Sequence, residues 1–322
     1  MSINIVQEKS SSQMTKKYKN FLTLNDFNSK DIYELLDQAM EMKRQQKRGI
    51  PHPYLKGKVL GMIFEKSSTR TRVSFEVGMK QLGGDGIFLN ANDLQLGRGE
   101  SIEDTAKVLS RYVDGIMIRT FEHTTIEELA HHADVPIING LTDMHHPTQV
   151  LADLLTIYEY KGTLSNLKIC YVGDGHNNMC HSLLEGAACV GMDLSIATPE
   201  GYQPAEEIFE KTKQKALGKG SQITYTNSPQ EAAEQADVIV TDVWASMGQE
   251  EEAKQRFEAF RSYQVNSPIC EAAKEDFIFL HCLPAHREEE VTSEIIDGPN
   301  SVVYDEAENR LHAQKAILKN LL

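Results

Sequence analysis

The feature that most constrains this chain of 322 residues is the alternation of short apolar runs with amphipathic stretches along almost its whole length. Strands buried in a parallel sheet read as continuous apolar runs, and the crossovers between them usually contain a helix. The pattern therefore predicts an α/β fold. Since domains usually hold roughly 100 to 200 residues, we expect two domains, each a parallel sheet flanked by helices, linked by interdomain helices.

The apolar runs predict one sheet in each half of the chain. Strands are predicted at residues 57–64, 86–90, 115–119 and 136–139 in the first half, and at 167–172, 193–197, 222–225, 237–241 and 277–282 in the second. Helices are predicted at 69–82, 101–112, 125–132, 178–190, 204–217, 229–235 and 267–274. A helix at 146–160 is expected to bridge the halves, and a last helix at 305–322 is expected to pack back across them.

Composition argues against several classes of protein. The net charge of −14 disfavours a protein that coats nucleic acid or an anionic membrane. No window reaches about 18 uninterrupted apolar residues, and the polar N-terminal stretch does not resemble a signal peptide, so a cytoplasmic location is expected. The five cysteines are scattered without a CxxC pair, which predicts neither a disulfide framework nor a cysteine-based zinc site.

An anion-binding site is predicted at FEKSSTRTR, residues 64–72, which follows an apolar run and opens a predicted helix. Hydroxyl groups, an arginine and free backbone N–H groups at a helix N-terminus all favour a phosphate. An N-cap followed by surface arginines is the structural alternative. Arg72 fits that alternative better than Arg70 does, because Arg72 can pair with Glu76 one turn later.

The segment HHPTQ, residues 145–149, lies at a predicted junction of strand and helix. His146 there could polarise a carbonyl oxygen as a neutral or protonated imidazole, and the amide oxygen of Gln149 could accept a hydrogen bond from an NH2 group. A histidine that only caps the helix is the structural alternative. Because no third ligand stands at a metal-like spacing, no metal is predicted.

Two more segments, DVWASMG at residues 242–248 and HCLPAHR at 281–287, follow predicted strands, where open α/β folds bind their ligands. Trp244 is equally suited to core packing. A cysteine such as Cys282 is most often a small buried hydrophobe, but the flanking histidines and arginine could lower the pKa of its thiol.

A nicotinamide-binding motif is incomplete in this chain. The segment VGDGHNN, residues 172–178, begins like a dinucleotide fingerprint but has Asn178 in place of the last glycine, and the next strand lacks the acid that would bind the ribose. A Rossmann-type NAD oxidoreductase is therefore only a remote alternative.

Taken in order, SSTRTR, HHPTQ, DVWASMG, HCLPAHR and the C-terminal DEAENR resemble the transcarbamoylases, and they match the ornithine branch of that family. The resemblance spans nearly the whole chain. It implies transfer of the carbamoyl group of carbamoyl phosphate to the side-chain amine of L-ornithine, which gives L-citrulline and phosphate in arginine metabolism. No metal or organic cofactor is implied. A carbamoyltransferase for putrescine or another amine is the alternative.

The resemblance also implies site residues and an assembly. The residues implied to bind carbamoyl phosphate are Ser68, Thr69, Arg70, Thr71, Gln95, Arg119, His146, Pro147, Thr148, Gln149, Cys282, Leu283 and Arg310. Those implied to bind ornithine are Asn178, Asp242, Ser246 and Met247, and those implied to be catalytic are Arg119, His146, Asp242 and Cys282. Pro284 takes the place of a family cis-proline.

Gln95 matches a residue that family members lend to a neighbouring subunit, so a homotrimer or a higher multiple of trimers is expected. Some family members carry a lysine where Gly99 stands, and whether Arg98 replaces it is an open point. The expected domains are residues 1–150 for carbamoyl phosphate and 151–304 for ornithine, with 305–322 as a C-terminal helix packing back on the N-terminal domain.

Overall fold

The computed structural model describes residues 18–94, 99–245 and 252–322. The strands of the first half are β1 (Val59–Phe64), β2 (Asp85–Asn90), β3 (Gly115–Arg119) and β4 (Ile137–Leu141). They form a parallel sheet in the order β2-β1-β3-β4. The helices of this half are α1 (Ser29–Lys47), α2 (Thr69–Gln81), α3 (Ile102–Leu109), α4 (His123–His132) and α5 (Pro147–Lys161).

The second half forms another parallel sheet. Its strands are β5 (Lys168–Val172), β6 (Asp193–Ala197), β7 (Ile223–Thr226), β8 (Val238–Thr241) and β9 (Ile278–His281), in the order β7-β6-β5-β8-β9. Its helices are α6 (Asn178–Val190), α7 (Glu206–Leu217), α8 (Pro229–Ala233), α9 (Ala253–Phe260), α10 (Ser267–Cys270), α11 (Ser293–Ile296) and α12 (Val303–Leu321). The predicted α/β architecture with two parallel sheets is confirmed.

Helix α1 was not predicted, although the sequence carries a signal for it. Asn28 caps the helix by accepting a hydrogen bond from the backbone of Asp31, whose side chain accepts from the Asn28 backbone in return. Such a capping box marks a helix start. The buried residues Ile32, Leu35 and Leu36 follow at helical spacing.

Two helices connect the halves. Helix α5 begins at Pro147, where a missing N–H group costs nothing, and its first eleven residues are buried. Helix α12 packs against α5, α1 and α2 and also contacts β9. The domain boundaries at residues 150 and 304 remain predictions. None of the helices in the described part of the chain is long and apolar enough to cross a membrane.

The sheet topology determines where polar loops meet. Parallel strands all present their carboxyl ends at one edge, and β1, β3, β8 and β9 end at Phe64, Arg119, Thr241 and His281. The segments FEKSSTRTR, DVWASMG and HCLPAHR lie at or after the ends of β1, β8 and β9, Arg119 is the last residue of β3, and HHPTQ follows β4. The fold therefore brings them to two sheet edges that face one cavity.

Candidate active site

A cavity of about 620 Å³ lies between the two sheets and is lined by residues of both halves. The predicted site residues that line it are Ser68, Thr69, Arg70, Arg119, His146, Asn178, Asp242, Cys282, Leu283 and Arg310, together with Pro284. Residues as far apart in the chain as Ser68 and Arg310 thus converge on one space. A concave site with convergent polar groups is where a small substrate would bind.

The predicted phosphate cradle forms the start of helix α2. Ser68 is its N-cap and accepts a hydrogen bond from the backbone N–H of Thr71 at 3.3 Å. Arg70 donates from Nη2 to the carbonyl oxygen of Leu283 at 2.6 Å, which joins the cradle to the other half of the chain. Arg72 instead pairs with Glu76 at 3.0 Å, as its spacing predicted. Ser68, Thr69 and Arg70 are therefore at the cavity, whereas Thr71 and Arg72 are not among its lining residues.

Three arginines from three separate elements line the cavity. They are Arg70 of α2, Arg119 at the end of β3 and Arg310 of α12. Burial, together with the charge of neighbouring arginines, lowers the pKa of Arg119 and of Arg310 to about 10. Arg310 donates from Nη2 to the hydroxyl oxygen of Thr71 at 2.7 Å. The cavity is therefore strongly cationic and suited to a multiply charged anion.

His146 is the residue before helix α5 and is buried at the cavity wall. Burial, with a smaller contribution from Arg310, Arg119 and Arg70, holds the pKa of its imidazole well below the usual value. The ring is therefore neutral at pH 7. A neutral imidazole can still donate one hydrogen bond, so the geometry favours a polarising role over acid catalysis by an imidazolium.

Pro147, Thr148 and Gln149 form the first turn of α5 and are buried behind the cavity wall rather than lining it. Gln149 donates both hydrogen bonds of its amide nitrogen, to Asp153 Oδ1 and to Glu306 Oε1, each at 2.9 Å. Its amide oxygen has no partner among the described residues. Asp153 and Glu306 were not predicted, since nothing in the sequence signals their contact with Gln149.

The thiol of Cys282 donates a hydrogen bond to Asp242 Oδ1 at 3.2 Å. Burial and the adjacent carboxylate raise the pKa of this thiol well above its usual value. The expectation that flanking histidines and an arginine lower this pKa is therefore wrong. Burial also raises the pKa of Asp242. At neutral pH the pair is a thiol beside a carboxyl group, with no thiolate present in quantity.

The residues after Cys282 have an unusual backbone. The Leu283–Pro284 peptide bond is cis, as the family resemblance implied. Leu283 itself has a φ of 56°, a left-handed conformation that is rare outside glycine. Its N–H group donates to His281 Nδ1 at 2.9 Å and its carbonyl oxygen accepts from Arg70. Both backbone groups of this strained residue are thus satisfied.

On the side predicted for the second substrate, Asn178 donates from Nδ2 to the carbonyl oxygen of Thr142 at 2.9 Å, and Asp242 reaches the same cavity. Ser246 and Met247 lie outside the described residues, as do Gln95 and Arg98. Trp244 is buried in a hydrophobic cluster, in line with the packing alternative. Sequence reasoning assigned no role to Lys66, which lines the cavity, pairs with Asp143 and lies over the ring of Phe121.

Comparison with known proteins decides the family. Residues 19–159 match the model of the aspartate/ornithine carbamoyltransferase carbamoyl-P binding domain, and residues 165–321 match that of the Asp/Orn binding domain. The chain belongs to the aspartate/ornithine carbamoyltransferase family. The ornithine carbamoyltransferase of Carboxydothermus hydrogenoformans is 60% identical over 304 residues, which is 94% of this chain and 97% of that one. That of Bacillus subtilis is 60% identical over 304 residues, 94% of each chain.

Solved structures of the aspartate/ornithine carbamoyltransferase family agree with this fold. The ornithine carbamoyltransferase from Pyrococcus furiosus matches with a TM-score of 0.90 and 54% identity, and the match covers 93% of this chain and 96% of that one. The enzyme from Thermus thermophilus matches with a TM-score of 0.84 and 41% identity, covering 95% and 99%. The cavity of this family member is lined from both matched regions, with Arg70 and Arg119 in the first and Asp242 and Cys282 in the second.

Proposed function

We propose that this protein is an ornithine carbamoyltransferase, which transfers the carbamoyl group of carbamoyl phosphate to the side-chain amine of L-ornithine and releases L-citrulline and phosphate. The single observation that carries the proposal is a cavity lined both by three arginines, Arg70, Arg119 and Arg310, and by a thiol–carboxyl pair, Cys282 and Asp242. The first group suits a phosphorylated substrate and the second suits an amine. The high identity to relatives named ornithine carbamoyltransferase supports this assignment.

The arginine side is proposed to bind carbamoyl phosphate. The hydroxyl groups and backbone N–H groups around Ser68 and Thr69, with Arg70, would hold the phosphate at the N-terminus of α2. Arg119 and the neutral imidazole of His146 would meet the carbonyl oxygen as it becomes an oxyanion. Thr71 and Arg310, which bind each other, would complete this cluster. The carbonyl groups of Cys282 and Leu283, with the Gln149 amide oxygen, would accept from the carbamoyl nitrogen.

The thiol–carboxyl side is proposed to bind and deprotonate the amine. An amine with a pKa near ~10.4 is mostly protonated at pH 7, and presenting it in the neutral form costs about 4 to 5 kcal/mol. Because the Cys282 thiol is a donor at this pH, we assign it a positioning role and assign Asp242 the role of proton acceptor. Asn178, Ser246 and Met247 would bind the rest of ornithine.

In the proposed step the neutral amine nitrogen attacks the carbonyl carbon. A C–N bond forms, the C–O bond to phosphate breaks, and the phosphate oxygen leaves with the electron pair. Before the attack the nitrogen gives one proton to Asp242, and after the C–N bond forms it loses a second proton, which the departing phosphate takes up to leave as hydrogen phosphate. Since phosphate is already a good leaving group, the residues of this chain need only orient both substrates, stabilise the oxyanion and receive the first proton.

The assembly, location and domain limits are part of the same proposal. A homotrimer or a multiple of trimers, in which Gln95 serves a neighbouring site, is inferred from the family resemblance. A cytoplasmic location is inferred from the five cysteines, all free in the structure, because reducing compartments keep thiols unpaired. The boundaries at residues 150 and 304 are proposed to separate a carbamoyl phosphate domain from an ornithine domain.

A citrulline assay with carbamoyl phosphate and either ornithine or putrescine, run side by side, tests the proposal. We expect citrulline to form from ornithine, and we expect this reaction to be faster than the carbamoylation of putrescine. A faster reaction with putrescine would show that ornithine is not the preferred substrate, while the assignment as a carbamoyltransferase would stand. Arg70→Gly should abolish most activity, with Arg72→Gly as the matched control, because only Arg70 lines the cavity. Near-normal activity of Arg70→Gly would show that the phosphate cradle is misassigned.

A further inference from the structure

A pair of buried carboxyl groups holds the amide of Gln149 in one orientation. The Gln149 side chain is fully buried, and its nitrogen donates to Asp153 on the next turn of α5 and to Glu306 on α12. A primary amide nitrogen has two hydrogens, and both are used. The amide oxygen is the one polar atom of the side chain without a partner among the described residues.

The same pair ties this amide to the wall of the cavity. The second carboxylate oxygen of Glu306 accepts a hydrogen bond from the backbone N–H of His281 at 2.8 Å, immediately before Cys282. Gln149 itself lies three residues after His146, in the first turn of α5. Its amide is therefore held next to two lining residues, His146 before α5 and Cys282 after β9.

The two acids are compatible with this arrangement because they need not both be charged. Burial raises the pKa of Asp153 to about 7, and burial together with the charge of Asp153 raises that of Glu306 well above its usual value. Asp153 Oδ2 has no donor among the described residues, and a proton held between the two carboxyls would satisfy it. Each acid would still offer an oxygen to Gln149, and the remaining negative charge faces Arg310 on the next turn of α12.

We propose that Asp153 and Glu306 are positioning residues that present the Gln149 oxygen to the substrate and thereby select an acyl phosphate with an NH2 group over one with a methyl group. The inference rests on the proposed function, since the NH2 group is that of carbamoyl phosphate. An amide free to rotate could turn its own NH2 group toward the substrate, where two donors would face each other. The carboxyl pair prevents that rotation.

Two stable phosphonates test this selection by binding alone. Phosphonoacetamide carries the NH2 group, and acetonylphosphonate has a methyl group in its place with the same carbonyl and phosphonate. Calorimetric titration of the full chain should give at least tenfold tighter binding of phosphonoacetamide, which is what one well-placed hydrogen bond at a buried site contributes. In Asp153→Asn and Glu306→Gln this ratio should fall to within about twofold, with acetonylphosphonate binding unchanged.

A matched control and a double substitution separate positioning from general damage. Glu308→Gln makes the same change on the same helix at a partly exposed residue, and the ratio should stay at the wild-type value. In a Gln149→Met background, Glu306→Gln should have no further effect on phosphonoacetamide binding, because the carboxyl pair acts through Gln149. This cycle also serves if one single variant folds poorly.

Several outcomes would overturn the inference: no preference in the wild type, equal weakening of both phosphonates in the variants, or additive effects in the Gln149→Met background. The proposed function is tested separately by citrulline formation. If the wild type forms citrulline but the ratio does not change in the variants, only the inference fails. If the ratio changes as expected but no citrulline forms from ornithine, the second substrate is wrong and the selection of the NH2 group stands.

Discussion

The charge of Arg119 should destabilise the empty protein, so that Arg119→Met stabilises the fold while it removes phosphate binding. Arg119 is 8% exposed, and its Nε has no hydrogen-bond partner among the described residues. Burial, and then the charges of Arg310 and Arg70, lower its pKa from 12.5 to about 10. The charged form is therefore less stable in the folded protein than in the unfolded chain.

The size of the effect follows from that shift. A change of this size in pKa corresponds to about 3 kcal/mol between the charged and neutral forms. Methionine keeps most of the apolar stem and carries no charge. Because water in the cavity relieves part of the cost in the wild type, we expect the free energy of unfolding to rise by about 1 to 3 kcal/mol in the variant.

Thermal unfolding at one fixed protein concentration, with and without saturating phosphate, measures both the stability of the ligand-free protein and the stabilisation by phosphate. Wild type should gain stability with phosphate, since the anion relieves the repulsion among the arginines. Arg119→Met should unfold at a higher temperature when empty and should gain little from phosphate. Arg72→Met is the control, and its exposed ion pair with Glu76 should contribute less than about 1 kcal/mol. An Arg119→Met protein that is less stable than wild type when empty would refute the reasoning.

Three further predictions follow from buried groups. Because the pKa of the Cys282 thiol is raised, its alkylation by iodoacetamide should be slow at pH 7.5 and should still accelerate above pH 9. Mass spectrometry measures this rate, and a rate that reaches a plateau below pH 8 would contradict the prediction. Burial lowers the pKa of His312 to about 3, so protonation of the unfolded chain should reduce stability as the pH falls below 6.5, by up to ~1.4 kcal/mol per pH unit. Urea unfolding between pH 6.5 and 5 should show a weaker dependence of stability on pH in His312→Gln. An unchanged dependence would show that His312 does not cause it. Gly186→Ala should cost about 1 to 3 kcal/mol in the same assay, because the new methyl group would lie 2.8 Å from Val150 on α5; an unaffected stability would show that the two helices can separate.

The strands were predictable because parallel strands buried on both faces leave little room for polar residues. Strand β6 was predicted with its bounds as observed, and β1 and β8 begin one or two residues later than expected. Helix α1 was missed although it is among the longest described. Its apolar residues are spaced among charged ones without a long apolar run. Only the capping box and the helical spacing of the apolar residues therefore indicate this helix in the sequence.

The candidate site was predictable only in part, since its chemistry depends on contacts between distant positions. Sheet topology explains why residues after β1, β3, β8 and β9 meet, and the family resemblance assigns them roles. The pKa of Cys282 could not be deduced from its sequence neighbours, because it is set by burial in the fold and then by Asp242, forty positions away. The contact between Gln149 and Glu306 could not be predicted for the same reason, because the two residues are 157 positions apart in the chain.

Helix α12 explains how groups from both halves keep a fixed spacing in a cavity whose charges repel each other. Glu306 binds the Gln149 amide and the backbone of His281, and Arg310 one turn later binds Thr71 of α2. One face of one helix therefore holds the start of α5, the end of β9 and the start of α2 together. The negative charge that Arg310 faces also lies on this helix and on α5, behind the cavity wall. An acidic protein can thus present three arginines to a bound anion, because two of the carboxyl groups that offset their charge, those of Asp153 and Glu306, lie behind the cavity wall.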